Sequence, residues 1–471
     1  MAVLIKGGEI VIADSRFHAD IFIEHETITS ISKEFVAPPG TEVIDARGKL
    51  VFPGFIDPHV HIHLPFMATF AKDTHATASK AALLGGTTTF IEMCCPSRNE
   101  DALAGYHLWK QKAEGHSACD YAFHMAVTRF DAQTEAQLRE IVADGTASFK
   151  IFLAYKNFFG VNDEEMFHTL RLAAELGVIT TAHCENAELV GQLQQLLLAE
   201  GKTGPEWHEP SRPEAVEAEG THRFATFLEQ TGAAGYVVHL SCAPALRAAV
   251  EARLRGVEIY IESVLPHFLL DKRYAERPGV EGMKHVMSPP LREKRNQSSL
   301  WTALQAGLID TVGTDHCPFD LEQKLLGAQA FTEIPNGIPG IEDRVNLMYT
   351  YGVKRGRLDI HRFVDALSTR PAKLFGLFPR KGNIAVGADA DLVVYDPDYR
   401  GTISARTQHS NNDYNGFEGF PIEGRPLYVT VRGKIQVRDG LFVGEPGCGR
   451  MIRRQPQYSP RHETKGVAYA G

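Results

Sequence analysis

Apolar and polar residues alternate at the two ends of the chain and stop alternating in the middle, which predicts two kinds of β-structure. Near the start, Val3–Ala13, Asp20–Ile31 and Glu42–Val51 carry apolar side chains at about every second position, the period of a strand with one covered face. Near the end, Ala390–Tyr395 and Tyr428–Val443 do the same. Turn signals at Gly7-Gly8, Pro38-Pro39-Gly40, Arg432-Gly433-Lys434 and Arg438-Asp439-Gly440 punctuate these runs. The pattern predicts one β-sandwich module assembled from both ends, residues 1–51 and 385–450.

Between them, short apolar runs end near His61, Met93, Val127, Leu153, His183, Leu240, Val264 and His316. Stretches of helical period follow most of them, among them Ala78–Leu84, Ala136–Val142, Glu164–Leu176, Pro244–Leu254 and Leu300–Ala306. Short apolar runs joined by helices are the mark of repeated strand–helix units with a parallel sheet. Eight such units predict an α/β fold, a (β/α)8 TIM barrel over residues 52–384. A doubly wound open sheet is the alternative, but no Gly-x-Gly-x-x-Gly follows the first strand to support it. Residues 451–471, rich in arginine, proline and glycine, read as an extended tail.

Composition narrows the class. The 471 residues are 44% hydrophobic and 23% charged, the balance of a globular protein with a large core. Lysine and arginine number 49 against 58 acidic residues, a formal charge of −9 that offers no general attraction to nucleic acid or anionic lipid. No apolar run reaches the roughly 18 to 20 residues that span a bilayer, and Met1–Gly8 enters a strand pattern without signal-peptide character. The seven cysteines are odd in number and lack a Cys-x-x-Cys pair, which argues against a disulfide framework. A cytoplasmic protein that binds neither nucleic acid nor membrane is expected.

Five strand ends carry metal-capable groups. In Phe55-Ile56-Asp57-Pro58-His59-Val60-His61, residues two apart share a face of the strand, so His59 and His61 present two imidazoles together. Lys150 lies inside the apolar run Ser148–Leu153, where its ammonium must be paired, reach water or change its chemistry. Carbamylation by carbon dioxide is one such change, and turns the cation into a carboxylate able to bridge two metal ions. His183 closes Thr180-Thr181-Ala182-His183, His239 closes Tyr236-Val237-Val238-His239, and Asp315 follows Thr311-Val312-Gly313-Thr314. Each has a plain structural reading when taken alone: a core histidine, a lysine reaching solvent, a turn aspartate. Jointly they place metal-capable groups at the C-terminal ends of five strands, the face on which barrel active sites form.

This pattern resembles the binuclear amidohydrolase superfamily, and most closely its hydantoinase and dihydropyrimidinase group. The similarity extends to Ser148–Lys156 with Tyr155, to His183-Cys184-Glu185-Asn186, His239-Leu240-Ser241-Cys242-Ala243 and Gly313–Phe319, and to Met287–Arg292 and Pro335-Asn336-Gly337. It covers nearly the whole chain, the terminal β module included.

The resemblance implies two divalent ions, usually zinc. One is held by His59, His61, carbamylated Lys150 (N6-carboxylysine) and Asp315, the other by the same carbamate with His183 and His239. A hydroxide between them attacks a ring amide carbonyl, Tyr155 stabilises the oxyanion, and Asp315 passes the proton to the leaving ring nitrogen. Main-chain groups at Ser288 and Asn336 grip a small cyclic ureide or imide, and Leu64, Phe152 and Phe159 form an apolar wall for a ring substituent. The implied reaction opens a hydantoin or 5,6-dihydropyrimidine to an N-carbamoyl amino acid. The implied assembly is a homotetramer, with Met451–Pro460 offered to a neighbour.

The first loop departs from the group. His63 stands where many hydantoinases have aspartate, and Met67–Ala71 replaces a glycine-rich stretch. Allantoinase or imidase activity and a non-catalytic dihydropyrimidinase-like binding protein are the alternatives. A dihydroorotase, expected to carry an arginine after His-x-His, is disfavoured by Ile62-His63-Leu64-Pro65.

Overall fold

The computed structural model describes residues 2–156 and 158–459. Eight parallel strands stand side by side in chain order: Phe55–Val60, Thr87–Cys94, Asp120–Ala126, Ser148–Phe152, Ile179–His183, Gly235–Val237, Ile259–Val264 and Thr311–Gly313. The second to fifth of these are buried at every position, which explains why their sequences run apolar without alternating. Helices return the chain from strand to strand, with starts set by local capping chemistry. Thr74 caps His75–Leu84, Asp131 caps Ala132–Ala143, and Asn162 with Glu165 forms a capping box for Asp163–Leu176. Three helices that the periodicity leaves unmarked, Ala102–Ala113, Ala187–Ala199 and Glu214–Thr231, complete the outer ring.

The sheet closes into a barrel rather than staying open. Val60 bridges His316, the His61 amide donates to the His316 carbonyl at 2.8 Å, and the Asp315 amide donates to the His59 carbonyl at 3.0 Å. Deeper in the barrel, buried Arg344 donates to the carbonyls of Ile56 and Val312 at 2.8 and 2.7 Å, tying the same two strands.

The two ends of the chain meet in one nine-stranded sheet. Its central seam is antiparallel pairing of Leu50–Pro53 with Leu392–Thr402, so an early strand and a late one share hydrogen bonds. The sheet curls around a core of its own, including Val3, Ile21, Ile28, Ile44 and Val394. Its other face presents Phe52 and Tyr395 to Phe55, Phe363 and Tyr349, an aromatic cluster that fixes it to the barrel. The run Asp20–Ile31 is two strands, Arg16–Glu24 and Thr27–Ser32, with His25 turning between them at φ 55°. Glu42–Val51 likewise splits into Glu42–Asp45 and Leu50–Pro53. Gly7-Gly8 lies at a register shift inside one strand rather than at a turn.

Met451–Ser459 is extended and lies against the barrel of its own chain. The Ile452 amide donates to the Tyr121 carbonyl at 2.7 Å, and buried Arg454 donates to Ser148 Oγ at 2.9 Å and to the Phe123 carbonyl. Residues 460–471, the rest of the expected tail, lie outside the described residues. Among the described residues no helix is long and apolar enough to cross a membrane, and all seven cysteines are free thiols.

Candidate metal centre

Barrel closure builds the first cluster. His59 and His61 stand at the end of the first strand and Asp315 just beyond the eighth, and Asp315 Oδ1 lies 3.1 Å from Nε2 of both histidines. Among the described residues these three form the one group of histidine, cysteine and acidic side chains whose ligand atoms converge closely enough to hold a metal ion. Beside it, His183 and His239 point ring nitrogens at each other, Nδ1 to Nε2 at 2.9 Å. The His239 ring also lies 5.4 Å from that of His59. Lys150, on the fourth strand between Ala126 and Thr181 in register, is wholly buried. Its Nζ has no hydrogen-bond partner among the described residues and lies 4.8 Å from the Phe152 ring centre.

Carboxylates behind the histidines select which nitrogen faces the cluster. Glu262 Oε2 is 2.8 Å from His59 Nδ1 and accepts the His239 amide at 2.9 Å. Glu185 Oε2 is 2.7 Å from His183 Nε2 and is itself paired with buried Arg212. A proton held on the rear nitrogen leaves the front lone pair free, the arrangement by which a neighbouring carboxylate orients a metal-binding imidazole. Asp57 accepts from Thr314 Oγ1 at 2.7 Å, bracing the turn that carries Asp315.

The electrostatics favour a cation. Burial works against charge on His59, yet Glu262 and Asp315 outweigh it and hold the imidazole up at about 9. Burial also works against the Asp315 carboxylate, but His59 and His61 keep it well below the usual range. His61 is pushed down to about 4 by burial, and Lys150 down to about 8 by the same cause. Among the described residues, His61 Nδ1, His239 Nδ1 and Lys150 Nζ are buried without a hydrogen-bond partner. Orphaned buried donors and acceptors of this kind are rare in structural cores. Four imidazoles, a carboxylate and an unpaired amine suit a divalent metal of zinc's type.

Above the cluster lies a small cavity of about 40 Å³. Tyr155, Ser288 and Asn336 supply polar groups, with Asn336 Nδ2 3.1 Å from Ser288 Oγ. Leu64, Phe152 and Phe159 line it as the sequence leads one to expect, and Phe66 joins them, its ring 5.3 Å from Tyr155 and 6.1 Å from Phe159. Tyr155, His239 and Asp315 all take left-handed backbone, with φ of 57°, 41° and 53°. Such conformations cost non-glycine residues of order 1–3 kcal/mol each and collect at functional sites.

Sequence reasoning missed Glu262, Arg212, Asp57 and Phe66 as parts of this site. Asp57 and Glu185 sat inside motifs already singled out, but nothing in spacing shows that a carboxylate lies behind a particular histidine. His63 stays outside the cluster, its ring against Phe70 at 5.8 Å. A wider cleft of about 960 Å³, lined by Phe130, His168, Arg171 and Leu228, opens on the outer helices Asp163–Leu176 and Glu214–Thr231, and among the described residues it gathers no comparable group.

Comparison with known proteins accords with this geometry. A family described as "Amidohydrolase family" matches residues 50–435. The D-hydantoinase of Geobacillus stearothermophilus is 44% identical over 456 residues, covering 96% of this chain and 97% of that protein. The dihydropyrimidinase of Rattus norvegicus is 38% identical over 460 residues, covering 96% and 89%. Among solved structures, a D-hydantoinase (dihydropyrimidinase) from Thermus sp. superposes with a TM-score of 0.96 at 78% identity, over 97% of this chain and 100% of that one. An L-hydantoinase from Arthrobacter aurescens gives 0.88 at 30% identity, over 96% and 99%. The family is metal-dependent, and His59, His61 and Asp315 form a cluster of side chains able to hold a metal ion. Matched along most of its length, and built around that cluster at the mouth of its barrel, this chain belongs to the amidohydrolase family.

Proposed function

We propose that this chain is a metal-dependent hydrolase that opens the ring of a cyclic ureide, a hydantoin or a 5,6-dihydropyrimidine, to the N-carbamoyl amino acid. The observation that carries the reading is the cluster of His59, His61 and Asp315, with the His183–His239 pair and buried Lys150 beside it, beneath a cavity whose polar lining is Tyr155, Ser288 and Asn336. The names of the relatives at 44% and 78% identity support the substrate class.

Two divalent ions, of zinc, fit the donor set. His59, His61 and Asp315 would hold one, His183 and His239 the other, and Lys150 would serve both as its carbamate. That group forms when the neutral amine adds to carbon dioxide and releases a proton. The metal supplies Lewis acidity, bringing the pKa of bound water to near neutral and polarising the ring carbonyl.

The side chains do the rest. Glu262 and Glu185 hold His59 and His183 in the tautomers that face the site. The Tyr155 hydroxyl donates to the carbonyl oxygen as negative charge develops there, the interaction that lowers the barrier to acyl cleavage. Asp315 carries a proton from the attacking water to the leaving ring nitrogen. Main-chain groups of Ser288 and Asn336 grip the ureide, while Leu64, Phe66, Phe152 and Phe159 cover the ring substituent. That apolar wall favours an aromatic or aliphatic substituent over the polar ureido group of allantoin. An L-hydantoinase shares the fold, so the fold alone does not set the enantiomer. The barrel of residues 52–384 carries the chemistry, the module from 1–51 and 385–450 supports it, and the protein works as a cytoplasmic homotetramer.

The test is ring opening by zinc-loaded protein across dihydrouracil, hydantoin, 5-phenylhydantoin, allantoin, succinimide and dihydroorotate, beside a chelated control. Turnover of dihydrouracil or a hydantoin that chelation abolishes is the expected result. Turnover of allantoin or succinimide alone would replace the substrate, and silence on every ring would favour a binding role.

A further inference from the structure

Lys324 is a second buried lysine near the mouth, and its surroundings are unlike those of Lys150. It ends the short helix Leu321–Lys324 and has no solvent exposure. An ammonium has three hydrogens, and here each meets a main-chain carbonyl: Val286 at 3.0 Å, Pro335 at 2.6 Å and Gly337 at 2.8 Å. Among the described residues no carboxylate lies within ion-pair distance of it. A buried cation without a counter-charge is costly, and burial pushes this one down to about 7.

The three carbonyls come from two segments far apart in sequence. Val286 precedes Ser288 by two residues, and Pro335 and Gly337 flank Asn336. The same two segments are tied by the Gly337 amide to the Val286 carbonyl at 3.0 Å and by Asn336 Nδ2 to Ser288 Oγ at 3.1 Å. The Asn336-Gly337 corner is also pressed against Cys317, since a Cβ on Gly337 would lie 2.2 Å from the Cys317 carbonyl oxygen. Ser288, Asn336 and Gly337 line the cavity, whereas Lys324 stands behind them and does not.

We propose that Lys324 is a positioning residue that clasps the Ser288 and Asn336 segments at the spacing that grips a cyclic ureide, and so sets affinity for the ring rather than the rate of the chemical step. The inference rests on the substrate reading above. Without the ammonium, three converging carbonyls lose their shared donor and repel one another, and the two arms of the grip separate. Among the described residues no hydrogen bond or ion pair joins Lys324 to His59, His61, Lys150, His183, His239 or Asp315.

Lys324→Met keeps the stem and removes the donors; Lys324→Gln, which retains a polar head, serves if the first variant does not fold. On whichever ring the parent protein opens, KM is expected to rise roughly 10- to 100-fold while kcat changes by less than about 3-fold and metal content holds, the split that marks lost ground-state binding. Hydrogen exchange provides a reading that needs no substrate: amides within 286–291 and 335–340 are expected to exchange at least about 10-fold faster, with the barrel strands unchanged. Unchanged KM with unchanged exchange overturns the role of Lys324, as does a fall in kcat at constant KM. A parent protein that opens no ring overturns the substrate reading, and the exchange comparison alone then decides whether the clasp exists.

Discussion

Two regions of this molecule bury the same kinds of charged side chain and answer them in opposite ways. At the seam between the barrel's N-terminal end and the terminal sheet, buried Lys381 contacts Asp120 at 2.7 Å, Asp391 at 2.6 Å and Asp389 at 3.1 Å. Arg432 pairs with the other oxygen of Asp120 and donates to the Cys448 carbonyl. At the barrel's mouth, Lys150 is as deeply buried but has no hydrogen-bond partner among the described residues, and nitrogens of His61 and His239 are likewise unpartnered there. The seam is closed on itself, because Lys381 and Arg432 each meet a carboxylate of the same chain. The mouth is complete only with a ligand. Burial of charge therefore does not by itself mark function; burial of charge left unanswered does.

The largest expected effect breaks the mouth while sparing the fold. Lys150→Ala should lower turnover by on the order of 10⁴-fold or more and cut bound metal with it. Calorimetry on metal-free protein should find the fold kept, with the loss limited to the cavity left by the stem, because no ion pair is broken there. Full turnover in a metal-replete variant would remove Lys150 from the site. Lys381→Met is the mirror image: it removes the cation shared by Asp120, Asp389 and Asp391 and should cost about 3–5 kcal/mol in a denaturant titration. Turnover per folded molecule should stay the same, and a stable but inactive variant would mean that the seam reaches the chemistry.

Tyr155→Phe should fold and bind metal normally yet lose roughly 10²- to 10³-fold in kcat, the scale of one oxyanion donor. Parent-like turnover would reduce Tyr155 to a packing residue. Glu262→Gln should weaken metal affinity by about 10- to 100-fold in chelator competition, as expected when the group orienting a ligand histidine is altered. Affinity equal to the parent's would mean that His59 needs no such support. The smallest effect concerns the wall. Phe66→Ala should raise KM for 5-phenylhydantoin about 5-fold, on the scale of one aromatic contact, and leave that for dihydrouracil nearly unchanged. Equal shifts for the two rings would show that Phe66 shapes the loop rather than the subsite.

Much of the fold is legible in the chain because the signals are local. A strand covered on both faces carries few charges and does not alternate, so the eight barrel strands stand out as short runs, each found within a few residues of its observed end. The outer helices are harder to read. Ala187–Ala199 buries only Val190 while carrying several leucines, so it shows no clean apolar stripe. At the terminal sheet, a turn as short as His25-Glu26 gives no break in alternation, and one run therefore covers two strands.

For the site, residue type and position on a strand end were enough to single out His59, His61, Lys150, His183, His239 and Asp315, since strand ends on one face of a barrel converge whatever lies between them. By itself, then, the sequence determined the strand set, the module from both ends, and the chemical identity of the groups at the mouth. Only the tertiary structure decided that the first and eighth strands close so that Asp315 meets both histidines of the first strand. It also decided that Glu262 and Glu185 stand behind His59 and His183, that Phe66 completes the wall, and that Lys150 is alone where Lys381 and Lys324 are not. The reason is physical. Propensity and burial pattern act over a few neighbouring residues, whereas the state of a buried charge depends on partners within about 3–4 Å, and the chain brings those together from opposite ends of its length.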